Sequence, residues 1–243
     1  MSVKRVAMVS EGPSALETYP GRDGYDEVVA VNGVAAKYSS TVWVFLDPEF
    51  YVWYLHDIPE PRPHIVTPRR LMRAVHTNRM TGANCKPSSL QLKAAGLTEQ
   101  LDADIDAGRI TFTDEIGPLP PMPQDVPIRG GGPQAGEVRW DMHGGLAGLV
   151  AAWWIGGKGC TIDVYGVDLW GSDDLRGHEA SERLGTRWRT ERAIFRALIH
   201  GFERAHEARI NWVTVPRLAN WCTKDVNDPA TPAMARAATT GKP

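Results

Sequence analysis

Seven short apolar runs rich in β-branched residues alternate with longer stretches of helical spacing, and this alternation restricts the fold more than any other feature of the chain. The runs are KRVAMVS (4–10), DEVVAVN (26–32), TVWVFLD (41–47), HIVTP (64–68), RITFTD (109–114), GCTIDVYGVDL (159–169) and INWVTV (210–215). HIVTP and RITFTD are the weaker two, and the sequence alone does not place them in a sheet. Most runs are apolar at nearly every position, as strands covered on both faces require. Between them, HGGLAGLVAAWWIGGKG (143–159) ends on glycines suited to a helix C-cap. RWRTERAIFRALIHGFERAHEA (187–208) brings Ile194, Leu198 and Phe202 to one helical face. The pattern predicts an α/β fold: a doubly wound, mostly parallel sheet, Rossmann-like and GT-A-like, with helices on both faces. Ligands of such folds gather at the carboxyl ends of the strands.

Two segments break the alternation. GPLPPMPQDVPIRGGGPQAGEVRW (117–140) is too dense in proline and glycine to carry continuous ladder hydrogen bonds, and reads as a loop or lid. From Asp225 the chain is small, polar and proline-bearing, the composition of a flexible tail over 225–243. Residues 1–224 are then expected to form one nucleotide-binding domain.

Composition narrows the function classes. With 27 Lys and Arg against 29 Asp and Glu, the net charge of -2 does not mark a general nucleic-acid binder. Cys85, Cys160 and Cys222 are far apart with no CxxC pair, which argues against a disulfide framework or a zinc site. The amino terminus lacks a signal-peptide core, and no apolar run approaches the ~18 residues of a membrane span. A soluble, cytoplasmic protein is expected.

The strand ends carry the chemistry. The first run closes on Gly12-Pro13-Ser14. Glycine permits a tight turn and close approach of a ligand to the backbone, and proline suits the first turn of a helix. A helix starting there would aim N–H groups and a positive dipole end at the crevice, a seat for phosphate. The same tripeptide also serves as a capped strand-to-helix turn. It is neither a GxGxxG fingerprint nor a Walker loop, so it supports neither NAD nor P-loop chemistry. Asn32, Asp47 and Asp168 tip the second, third and sixth runs, and polar residues placed one per strand at a shared edge are how α/β folds assemble a site. Each alone could equally be a cap or turn residue.

These stretches, in this order, resemble the bacterial sialyltransferases that use CMP-sugar donors and the related archaeal-type hydroxymethyl-dihydropterin diphosphokinase-like proteins. The matching residues are 5–16, 27–34, 42–48 and 143–169, with a weaker match over 187–206. The resemblance implies that Gly12, Pro13, Ser14 and Asn32 hold the nucleotide of a donor, with Gly144 and Gly145 near its ribose or phosphates. It places His178 where those transferases carry a histidine base. Two positions depart from the pattern: Glu11 replaces an asparagine, and His143-Gly144-Gly145 replaces a Ser/Thr-bearing turn. A carboxylate at residue 11 would repel phosphate unless a cation paired with it.

Inverting glycosyl transfer needs a base with a pKa near the operating pH and a stabilised leaving phosphate. His178 fits the first need and His143 could contact phosphate, though either could be an ordinary loop histidine. Asp168 is the second candidate catalytic residue. With Asp173 and Asp174 it could also hold Mg²⁺, although SDD is a common helix-starting cluster too. The transferases of this kind need no metal and the diphosphokinase-like proteins do, so the resemblance leaves Mg²⁺ open. TPRRLMRAVHTNR (67–79) and LGTRWRTER (184–192) are the strongest basic segments. In the second, Arg187, Trp188 and Arg189 could track a nucleic-acid acceptor, or lie on a solvated helix face.

The leading expectation is a glycosyltransferase-like enzyme that moves a sugar from a nucleotide-sugar donor, CMP- or UDP-type, to a hydroxyl of a glycan, small molecule or modified DNA base. Two others stand beside it: a Mg²⁺-dependent diphosphotransferase acting on a pterin-like alcohol with ATP, and a non-catalytic nucleotide-binding protein.

Overall fold

The computed structural model describes residues 3–12, 14–77, 96–117, 119, 143–168 and 185–213. Seven strands form one sheet: β1 (Arg5–Val9), β2 (Glu27–Val31), β3 (Val42–Val44), β4 (His64–Thr67), β5 (Ile110–Phe112), β6 (Cys160–Tyr165) and β7 (Ala208–Trp212). Their order is β5-β4-β3-β2-β1-β6-β7. Every pairing is parallel. All seven expected strands are present, including the two weak ones, which become β4 and β5 at one edge.

The helices are α1 (Ser14–Thr18), α2 (Glu49–Tyr54), α3 (Arg70–His76), α4 (Thr98–Asp106), α5 (Gly144–Gly156) and α6 (Gly185–Arg204). Short 3-10 turns follow β2 and β5, at Asn32–Ala36 and Thr113–Glu115. Parallel crossovers are right-handed, so a chain stepping one way across a sheet leaves its connections on one face. Stepping from β1 to β5 puts α1 to α4 on the first face, where Ala15, Tyr51, Leu71 and Leu101 pack on Ala7, Ala30, Trp43 and Ile65. The chain then returns to the other side of β1. On the second face α5 and α6 bring Leu149, Val150, Leu198 and Phe202 against Met8, Val29, Val44 and Ile162.

Small residues let α5 lie close on the sheet: a Cβ at Gly148 would sit 2.5 Å from Met8 Cε and from Val31 Cγ2. The helix ends at Gly157, a C-cap glycine whose φ of 74° and ψ of 177° are open essentially to glycine alone. Ile194, Leu198 and Phe202 of α6 are buried together, as their spacing predicts. The last strand begins earlier than its apolar run, because the ladder with β6 starts at Cys160 opposite Ala208.

Tyr25, Tyr51 and Tyr165 sit in or against the first core, and burial pushes the hydroxyl pKa of each above the ordinary tyrosine value. Half-buried Tyr19, packed edge-on to Tyr38 and Tyr165, is pushed up to about 12 by the same cause. In the unfolded chain these phenols ionise near pH 10. Above that pH the unfolded state loses protons that the folded state keeps, so stability must fall as pH rises. We expect a melting temperature steady up to about pH 10 and dropping from there toward pH 12. A melting temperature unchanged between about pH 10 and pH 12 would contradict this.

Candidate functional site

The strand order reverses between β1 and β6, and the crevice of a parallel sheet opens at such a point. Backbone bonds carry the β1–β6 contact past the strands: Ser10 N–H donates to the Tyr165 carbonyl at 2.9 Å and Gly12 N–H to the Gly166 carbonyl at 2.8 Å. The two chains touch so closely that a Cβ at Gly12 would lie 2.5 Å from Asp168 Oδ2. The bare Cα of Gly12 is thus needed for contact with Gly166 and Asp168, within the protein itself.

Ser14 opens α1, and both its N–H (3.1 Å) and its hydroxyl donate to the Asp168 carboxylate. Asp168 is buried at the end of the β6 segment. The anion that the first turn of α1 attracts is therefore supplied by the chain, and α1 is only five residues long. The phosphate seat expected at Ser14 is filled by a side chain.

Glu11 faces the other way, toward β2. Its carboxylate accepts from Asn32 Nδ2 at 3.1 Å and from the Gly33 N–H at 3.0 Å. These two bonds hold the carboxylate in the crevice beside Asn32. Asn32 has φ +56°, a conformation rarely taken outside glycine, and its carbonyl accepts from Trp43 Nε1 at 2.7 Å. Contacts at both the carbonyl and the side-chain amide fix this strained residue, a combination that clusters at functional sites. A Cβ at Gly33 would lie 2.9 Å from Tyr54 Cζ and 3.0 Å from Glu11 Oε1, so the phenol ring and the carboxylate flank one bare backbone unit. Tyr54 is half-buried and stacks on Phe50 with centroids 6.2 Å apart.

The first turn of α5 completes the group. A Cβ at Gly144 would sit 3.3 Å from Asn32 Nδ2, and one at Gly145 3.6 Å from Val167 Cγ1. The turn therefore spans the ends of β2 and β6. His143, the N-cap residue, makes no side-chain capping bond to it. The first N–H groups of a helix have no partner within the helix, and this helix is 13 residues long.

Of the residues expected at the site, Gly12, Ser14, Asn32, Gly144, Gly145 and Asp168 surround this crevice. Asp47 lies farther along the same edge and pairs with Arg70 at 2.7 Å. Pro13, His178, Asp173 and Asp174 lie outside the described residues, as do 118 and 120–140 of the expected lid and the tail 225–243. Of the three cysteines, only Cys160 is described, and it is buried. The basic segment at 67–79 spends charge internally: Arg69 pairs with Asp114 at 2.7 Å and with Glu115 at 2.5 Å, and Arg70 with Asp47. The Arg187, Trp188 and Arg189 positions lie on the backbone of α6, and their side chains are outside the described set. Among the described residues there is no cluster of three metal-ligating side chains, and no helix is long and apolar enough to cross a membrane.

Sequence reasoning missed Tyr54, Gly33 and Gly166. The aromatic density of EFYVWY (49–54) was the available signal for Tyr54, but such density in a helix most often means core. The chain matches no family model, no curated protein and no solved structure.

Proposed function

We propose that the protein is a nucleotide-dependent transferase of the glycosyltransferase-like kind, holding its donor in the crevice at the carboxyl ends of β1, β2 and β6. The observation that supports this is the meeting of four elements at the switch point: the bare first turn of α5, the amide of Asn32, the carboxylate of Glu11 and the ring of Tyr54. Donor phosphates would lie on the N–H groups at Gly144 and Gly145, where the helix dipole favours negative charge. Glu11 would accept hydrogen bonds from ribose hydroxyls, the usual task of a carboxylate in such a crevice. Tyr54 would offer its face to the base or the sugar. Asp168 is then a positioning residue through Ser14, and His178 is the proposed base that takes the acceptor's proton. Mg²⁺ is not required by this reading.

A thermal-shift screen with CMP, UMP, UDP, GDP, ADP and ATP, each with Mg²⁺ and with EDTA, tests it. A ligand at 100 times its Kd adds about 2.7 kcal/mol. A metal-independent shift with a pyrimidine nucleotide is expected, together with donor-sugar hydrolysis lost in His178→Ala. Asn32→Gly, which relieves the positive φ while deleting the amide, should stay folded and lose most of the shift. A shift with ATP only when Mg²⁺ is present would favour the diphosphotransferase, and a shift with no turnover the binding protein. No shift with any nucleotide would overturn the proposed site.

A further inference from the structure

A second concave feature lies at the opposite edge of the sheet. A cleft of about 230 Å³ is formed where the chain enters β3 and β4, between Ser39-Ser40-Thr41, the Ile58–Pro63 loop and Arg22. Strands three to five residues long, at about 3.3 Å per residue, separate it from the crevice by roughly 10–17 Å. It is too small for a nucleotide or another drug-sized ligand, whose pockets run from about 300 Å³ upward.

Its polar lining is unevenly satisfied. Arg62 is anchored on both sides, by Glu60 at 3.1 Å and by the buried Asp104 at 3.5 Å. Asp104 also carries Arg109 at 2.6 Å, so Arg22, Arg62 and Arg109 outnumber Glu60 and Asp104 by one positive charge. Arg22 makes one long hydrogen bond among the described residues, to Ser39 Oγ at 3.3 Å, which leaves most of its five donors for another acceptor. Ser40 is 9 % exposed, and its hydroxyl has no hydrogen-bond partner among the described residues. That hydroxyl is buried beneath the cleft surface, so the polar groups that face the cleft are Arg22 and the exposed Ser39. Ile58, Pro59 and Pro61 give the remaining wall an apolar surface.

We infer that this amino-edge cleft is a binding site for a small oxyanion, a carboxylate or phosphate group, held by Arg22 with the hydroxyl of Ser39. Arg62 contributes field without leaving its carboxylates. Ile58 and the prolines accommodate a compact apolar body attached to the anion. The inference is independent of the nucleotide crevice.

The test is calorimetric titration of the full chain with inorganic phosphate and with benzoate, at constant ionic strength in chloride. Saturable binding of at least one is expected, weakened roughly tenfold or more by Arg22→Ala, as removal of a charged hydrogen-bonding partner implies. Arg22 is at the surface, so that variant folds. Ser39→Ala should also weaken binding, whereas Asn32→Gly, in the crevice, should leave it unchanged. Benzoate alone would identify a carboxylate ligand with an apolar body, and phosphate alone a phosphoryl group. Absence of saturable binding of both, binding indifferent to Arg22→Ala, or binding lost in Asn32→Gly would each overturn the assignment.

Discussion

Asp104→Ala is expected to cost about 3 kcal/mol of folding stability, at the lower end of the loss typical of breaking a buried ion pair. Asp104 is 1 % exposed and gathers an unusual number of donors. Tyr51 donates to it at 3.0 Å and Gln100 at 3.0 Å, Arg109 donates twice, at 2.9 and 2.6 Å, and Arg62 stands 3.5 Å away. The alanine variant strands the Tyr51 hydroxyl in the core and two guanidinium groups at its margin. Because both arginines keep some solvent contact, the loss falls short of that for a fully buried pair. It is still a large share of the roughly 5–15 kcal/mol that holds a domain together. Asp104→Asn keeps an acceptor for Tyr51 and should lose about half as much. Urea denaturation of the three proteins reads this directly. A loss below about 1 kcal/mol for Asp104→Ala would mean that the network contributes no more than a surface pair.

Gly166→Ala should be comparably damaging, for a different reason. Gly166 has φ +67°, where any residue with a Cβ pays roughly 1–2 kcal/mol. Its Cβ would also press on the Ser10 carbonyl and lie 2.9 Å from Ala15 Cβ. Neither can retreat, because Ser10 and Gly12 are tied to Tyr165 and Gly166 by backbone hydrogen bonds. Overpacking adds about 1–3 kcal/mol, for a total near 2–5 kcal/mol. Gly157→Ala is the control: its φ is +74° but no atom lies within 4 Å of a Cβ there, so only the conformational cost applies. Equilibrium unfolding should rank Gly166→Ala well below Gly157→Ala. Equal losses would show that the β1–β6 junction yields easily. Gly12→Val meets the same junction, so any loss of the proposed nucleotide binding in that variant would report on folding as much as on ligand contact.

The candidate site was partly legible in the chain. Asn32 and Asp168 were readable because a polar residue ending an apolar strand is placed at the sheet edge by the strand itself. His143-Gly144-Gly145 was readable because a glycine pair opening an apolar helix stands out from its neighbours. What each residue does there was not readable. Asp168 could have been a base or a metal ligand, and the fold aims it at Ser14. Glu11 looked hostile to an anion, and the fold turns it toward Asn32 and Gly33. Tyr54 was hidden in an aromatic helix.

Local sequence therefore determined the kinds of elements: seven strands with apolar faces, a small-residue helix fit to lie on a sheet, and an amphipathic helix closing the second layer. Those features depend on residues within a few positions of one another, through propensity, side-chain period and capping. Only the tertiary structure decided the strand order, with HIVTP and RITFTD at one edge and the reversal between β1 and β6. Only it decided that the α1 turn is filled by Asp168, leaving the α5 turn beside Asn32. Parallel pairing joins residues more than a hundred positions apart, as Ser14 and Asp168 are, and no local pattern encodes which distant carboxylate reaches a given hydroxyl. That choice is made when the two faces of the sheet are buried together.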